Sequence, residues 1–171
     1  PVTYAPMEAI LAKDAYGGFY EAFEVETGTC PLAGGEEPDT RRMTGGGTVG
    51  TSGARHGFEL HCDAASLPNN LQVNWGKNNK FHLTSLTSAA CSNNPNIDEA
   101  PPVAGFDTYV GSGTGRYNGT DGYKISFTFT DTGEPGTVDT AKIIITNADG
   151  SITVLAVSGN LQNGNHQAHP Q

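Results

Sequence analysis

The chain is short of positive charge: nine Lys and Arg stand against eighteen Asp and Glu, for a net charge of −9. A nucleic-acid partner needs a basic stripe to displace counterions from phosphates, so this balance argues against one. Long apolar runs are missing as well. Nothing approaches the ~20 residues that cross a bilayer as a helix, so no helical membrane span is expected. Cysteine is scarce, with three in 171 residues, and no Cys-x-x-Cys pair suggests a zinc or thioredoxin-like centre. The sequence starts at Pro1 without methionine, and the expectation is a protein exported through a cleaved signal peptide to the cell surface or beyond. An acidic, lysine-poor surface suits that destination.

What is present is turn chemistry and short alternating apolar runs. Gly 23 and Pro 10 punctuate segments rich in Val, Ile, Phe and Tyr, the composition of an all-β domain. Phe58, Leu60 and Cys62 alternate with Glu59 and His61, and Phe81 and Leu83 repeat the pattern in a run ending at Cys91. Such a period of two marks strands with one buried face. Leu71, Val73 and Trp75, then Tyr123, Ile125, Phe127 and Phe129, read the same way. Glycines at 111, 113 and 115 in the extended run from Phe106 to Tyr117 predict bulges or close backbone packing. Asp149-Gly150 predicts a hairpin that sets Ile145 opposite Val154 and Ile143 opposite Ala156. The sum is about seven to nine strands. The expected fold is all-β: a two-layer Greek-key sandwich, immunoglobulin-like in outline, with a barrel or jelly roll as the alternative.

Cys62 and Cys91 end two of the strands and are expected to form a disulfide, which suits an oxidising compartment. Cys30 is then left over, to be buried and inert, to pair differently, or to bond to a neighbouring molecule.

Residues 1–42 differ from the rest, with eight acidic residues against three basic ones. Within them Phe19, Phe23 and Val25 fall on one side of an extended stretch. The division predicted is an N-terminal arm, 1–42, and a β domain, 43–171. An arm of this kind folds back on its own sheet or adds a strand to a neighbour's, where main-chain hydrogen bonds give affinity and alternate side chains fill pockets.

Candidate chemistry is thin. Asp131, Glu134 and Asp139 share one turn-rich loop and are the calcium candidates, because calcium takes several carboxylate and carbonyl oxygens from a bending backbone; a solvated hairpin loop is the alternative. His56, His61 and His82 lie on runs that neighbouring strands would bring together, with His61 and His82 the pair to share a transition metal. No spacing selects two facing carboxylates from Glu24, Glu26, Asp107 and Asp131 for glycoside hydrolysis. Trp75, Tyr109, Tyr117 and Tyr123 are the aromatics available to a glycan platform. Asn118-Gly119-Thr120 matches a glycosylation sequon.

The strings Met-Thr-Gly-Gly-Gly from residue 43, His-Gly-Phe-Glu-Leu-His-Cys at 56–62, Asn-Asn-Leu-Gln-Val-Asn-Trp-Gly at 69–76, Phe-Thr-Asp-Thr-Gly-Glu-Pro-Gly at 129–136 and Ser-Gly-Asn-Leu-Gln-Asn-Gly-Asn-His-Gln at 158–167 resemble a bacterial module of exported surface proteins, the type found after choice-of-anchor domains. The resemblance spans roughly residues 43–169 and implies a β-rich, extracellular module without an assigned activity. With no catalytic constellation in view, the functional expectation is a non-enzymatic structural protein. The subunit expected is one of a surface filament that polymerises head to tail by donor-strand exchange, with Phe19, Phe23 and Val25 expected to insert into the next copy and Cys30 available as a covalent lock. A monomeric glycan- or matrix-binding adhesion module is the alternative. No cofactor is expected apart from calcium.

Overall fold

A computed structural model describes residues 39–98, 100–101 and 103–170 of the chain. Phe19, Phe23, Val25 and Cys30 lie outside the described residues.

Eight strands follow one another: β1 Arg42–Val49, β2 Ala54–His61, β3 Asn70–Trp75, β4 Asn79–Ser92, β5 Thr108–Tyr117, β6 Thr120–Thr130, β7 Thr140–Thr146 and β8 Thr153–His169. One turn of 3-10 helix, Gly136–Val138, precedes β7. Each strand pairs antiparallel with the next, and β8 returns to pair with β1 along its length, from Arg42 opposite His169 to Val49 opposite Leu161. The result is a closed up-and-down barrel.

The two-layer Greek-key sandwich expected from the sequence is therefore corrected to a barrel. A sandwich and a barrel demand the same alternation, one apolar face per strand. They differ in whether the last strand pairs with the first, which no local pattern states. Closure also removes the free edge of the sheet: among the described residues every strand has a hydrogen-bonded neighbour on both sides.

Alternation sends one set of side chains inward. Met43, Leu60, Leu71, Val73, Phe81, Tyr109, Phe129, Ile143 and Ile145 are essentially inaccessible and fill the interior, as eight strands leave just enough width for side chains to do. Outward positions on β2 and β3, such as Arg55, Asn70, Gln72 and Asn74, are exposed. An apolar inside and a polar outside reverse the arrangement of barrels that span membranes.

β5 explains its own glycines. A Cβ on Gly111 would lie 2.5 Å from the Phe127 ring, and one on Gly113 would lie 2.7 Å from Leu83 Cδ1 and also strike the Ser85 carbonyl. The bulky interior rings are accommodated because β5 presents no side chain beneath them. Register shifts in β4 at Leu83/Ser85 and Leu86/Ser88 bend the wall at the same place, as bulges do.

The hairpin between β7 and β8 differs from its predicted register. Ile145 lies opposite Leu155 and Ile143 opposite Val157, one residue on from Val154 and Ala156. The turn is wider than Asp-Gly alone, because Asn147 N–H donates to Ile152 O at 2.9 Å and the Asn147 side chain accepts from Ile152 N–H at 3.0 Å.

Candidate functional site

The strand ends give the barrel two chemically different ends. One carries the tight turns β1–β2, β3–β4, β5–β6 and β7–β8. The other carries the longer loops β2–β3, β4–β5 and β6–β7.

At the loop end the carboxylates are internal acceptors. Asp131 Oδ1 accepts from Gly133 N–H at 2.8 Å and Oδ2 from Ala168 N–H at 2.7 Å. Asp139 Oδ1 accepts from Thr132 N–H at 2.9 Å and from the Thr132 hydroxyl at 3.0 Å, and Oδ2 accepts from His166 N–H at 2.8 Å. Both are buried, and burial pushes both carboxyls above their ordinary value against the pull of those N–H donors. Glu134 is exposed and accepts from Asn165 Nδ2 at 2.8 Å. The loop thus brings the three predicted calcium candidates to one end of the barrel, with oxygens turned to N–H groups that fasten β8 to the β6–β7 loop. Among the described residues no group of three or more His, Cys, Asp and Glu is placed to hold a metal ion.

Cys62 and Cys91 are disulfide-bonded, Cα atoms 5.4 Å apart, tying the end of β2 to β4 across β3. At a sequence separation of 29, the bond contributes about 3–4 kcal/mol by restricting the unfolded chain. Replacing both cysteines by serine is expected to lower the melting temperature by roughly 10–15 °C. Calorimetry of the variant checks this, and an unchanged midpoint would refute it.

The histidines sort differently from expectation. His61 and His82 are separated by β3; His61 Nδ1 faces the Pro68 carbonyl at 2.9 Å, and His82 is exposed. His56 instead points into the barrel and meets His166 of β8, Nε2 to Nε2 at 2.8 Å. His166 Nδ1 lies 3.0 Å from the Thr130 carbonyl, which only accepts, so Nδ1 carries the proton. His166 Nε2 is then bare and accepts from His56 Nε2–H. That leaves His56 Nδ1 bare, buried and without a partner among the described residues. His56 stacks on Phe129 at 5.2 Å, and His166 meets Phe58 edge-on at 5.1 Å. Burial lowers the pKa of His56 to about 3 and of His166 to about 4, so the pair is neutral at physiological pH. It is a polar element inside an apolar core.

The aromatics considered for a glycan platform line the interior. Tyr109 is fully buried and its hydroxyl donates to the His61 carbonyl at 2.7 Å. Trp75 stacks on Tyr117 at 5.4 Å, and Tyr117 leans on Tyr123 at 4.9 Å. They close the turn end of the core. Asn118 sits at the β5–β6 turn, its side chain accepting from Lys80 N–H at 2.9 Å.

The feature that faces solvent with chemistry to offer is a shallow trough on the outside of β2, β3 and the start of β4. Register lines up Arg55 with Asn74, Gly57 with Gln72, and Glu59 with Asn70. Gly57 has no side chain, so the floor drops between Arg55 and Glu59. The groove along this floor has a volume of about 430 Å³ and is lined by Arg55, Gly57, Glu59, Asn70, Gln72 and Asn74. A contiguous pocket of about 360 Å³, sharing Arg55 and Asn74, runs on to Lys77, Asn78, Asn79 and Lys80 at the β3–β4 turn. β3 thereby presents three exposed planar amides in a row, Asn70, Gln72 and Asn74, each with two N–H donors and a carbonyl acceptor. A second groove, over β5–β7, holds Ser112, Thr114, Ser126, Thr146, Lys124 and Ile144. Its lining offers hydroxyls and one ammonium but no side-chain amide.

No family model, curated protein or solved structure matches the chain.

Both features that sequence reasoning missed had a signal. His56 falls on the inward parity set by Phe58 and Leu60, and Asn70, Gln72 and Asn74 occupy the outward parity of Leu71, Val73 and Trp75. The outward set reads as ordinary solubilising polarity until Gly57 beside it makes the face concave.

Proposed function

We propose that this protein is a non-enzymatic, exported β-barrel module that binds carbohydrate or matrix polymer through the trough on β2–β4. The amide row carries the reading. Sugar hydroxyls each donate and accept, and planar amides spaced two residues apart on one strand, roughly 7 Å at ~3.4 Å per residue, meet them with paired donors and acceptors. The disulfide supports export, since such bonds persist outside reducing compartments. The interior, filled among the described residues by side chains of the core, supports a role for the outer surface. The closed sheet favours surface binding over strand addition, which needs an unpaired edge to receive the added strand.

The triple variant Asn70→Ala/Gln72→Ala/Asn74→Ala changes only exposed side chains and is expected to melt within a few degrees of the parent. Its binding on a glycan array is expected to fall at least tenfold, about 1.4 kcal/mol. An array without a single hit for the parent protein, or binding untouched by the triple change, would sink the reading.

A further inference from the structure

We infer that the trough takes an acidic polysaccharide, specifically one with a carboxylate on each sugar, whose charged sugars are held at the β3–β4 turn. This rests on the reading of the trough as a carbohydrate site. The chain is strongly acidic overall, yet the pocket that extends the trough is lined by Arg55, Lys77 and Lys80 and by no carboxylate. Its three cations are exposed, and among the described residues none of them takes part in a salt bridge.

Acids nearby on the turn end are already engaged. Asp121 pairs with Arg116 at 2.9 Å, and Asp149 accepts from Ser151 N–H at 2.8 Å within its own turn. Glu59, the carboxylate of the trough, stands at the opposite end, about 13 Å from Arg55 along β2 at ~3.4 Å per residue. That exceeds a Debye length in ordinary buffer, ~10 Å, so Glu59 does not cancel the cations. It discourages a negative group at its own end and so sets a polarity.

The mixture of groups selects among anions. Arg55 offers a planar fork that matches a carboxylate with two parallel hydrogen bonds, while Lys77 and Lys80 act as point charges. Asn70, Gln72, Asn74 and Asn78, all exposed, need hydroxyl partners rather than charge. A polyuronate supplies one carboxylate and several hydroxyls per sugar. Nucleic acid offers mostly phosphates and bases, and a heavily sulfated polymer has few free hydroxyls left for the amides.

The test is affinity electrophoresis or calorimetry of the full chain with polygalacturonate and with its fully methyl-esterified form, which keeps the sugars and removes the charge. Polygalacturonate is expected to bind at least tenfold more tightly and to lose that advantage at high salt. Arg55→Gln/Lys77→Gln/Lys80→Gln is expected to bring the two polymers level while the melting temperature holds. Equal binding of the two polymers to the parent, or no binding of polygalacturonate beside array hits for neutral glycans, overturns this inference and leaves the carbohydrate reading standing. No saccharide hit of any kind overturns both. Retention of single-stranded DNA as strong as that of polygalacturonate, indifferent to the amide triple variant, also overturns both, since it shows attraction by charge alone.

Discussion

Lowering the pH from 7 to 5 is expected to remove about 4 kcal/mol of folding stability, through two buried histidines whose folded-state pKa values lie far below the ordinary 6.5. Depression of a histidine pKa by burial means that the folded state holds it neutral while the unfolded chain takes up a proton near pH 6.5. The stability these residues contribute is complete above that value. It falls as pH drops, by about 1.4 kcal/mol per pH unit for each residue, until the folded forms themselves protonate, His166 at about 4 and His56 at about 3.

The geometry gives each protonation its cost. A proton on His56 Nδ1 finds no acceptor among the described residues, and one on His166 Nε2 would face the proton already on His56. Asp131 favours charge on His166 without lifting it back to the ordinary range. Asp131 and Asp139 act in the other sense, since their raised carboxyl pKa values let the folded state take up protons first and so soften the lowest part of the curve. Denaturant titrations at several pH values measure the slope. The apolar pair His56→Phe/His166→Leu is expected to flatten it, and a parent protein equally stable at pH 7 and 5 would disprove the assignment.

The strands themselves were legible because half-buried β structure writes its burial into every second residue. Phe58 and Leu60, Leu71, Val73 and Trp75, Phe81 and Leu83, and Ile125, Phe127 and Phe129 are all inside as their alternation implies. Trp75 closes the core at its edge, and Cys62 meets Cys91. What alternation does not carry is the partner of the first and last strands. The closing ladder of β1 and β8 joins residues more than a hundred positions apart, and its β1 half is a triple-glycine segment with little apolar signal. β8 is also interrupted by Gly159 and Gly164, both with positive φ, so its second half resembles a polar tail in sequence.

The sites show the same limit. An aspartate in a turn-rich loop is equally suited to a cation or to backbone N–H groups, and the choice depends on which chain segment arrives from elsewhere. Here β8 arrives, bringing the N–H groups of His166 and Ala168 to Asp139 and Asp131. The trough on β2–β4 needed the pairing of Gly57 with Gln72, a fact of register rather than of composition.

Asp139→Ala is the substitution expected to damage the barrel most, at about 3–6 kcal/mol, because it strips acceptors from three donors at once in a buried place. Asp139 is fully inaccessible, and without it the N–H groups of Thr132 and His166 lose the partners now at 2.9 and 2.8 Å. Each unsatisfied buried donor costs about 1–3 kcal/mol, against a total stability on the order of 5–15 kcal/mol for a domain of this kind. The bond from His166 N–H also ties β8 to the β6–β7 loop, so the histidine pair should loosen with it. Asp139→Asn keeps one carbonyl oxygen but turns an NH₂ group towards one of the donors, and an intermediate loss is expected. The two variants separate an acceptor from a cation ligand. If Asp139 serves the backbone, the parent protein melts at the same temperature in chelator and in millimolar calcium, and the losses in both variants are indifferent to the ion. A rise in the parent's melting temperature with calcium that Asp139→Asn abolishes would instead make the loop a calcium site.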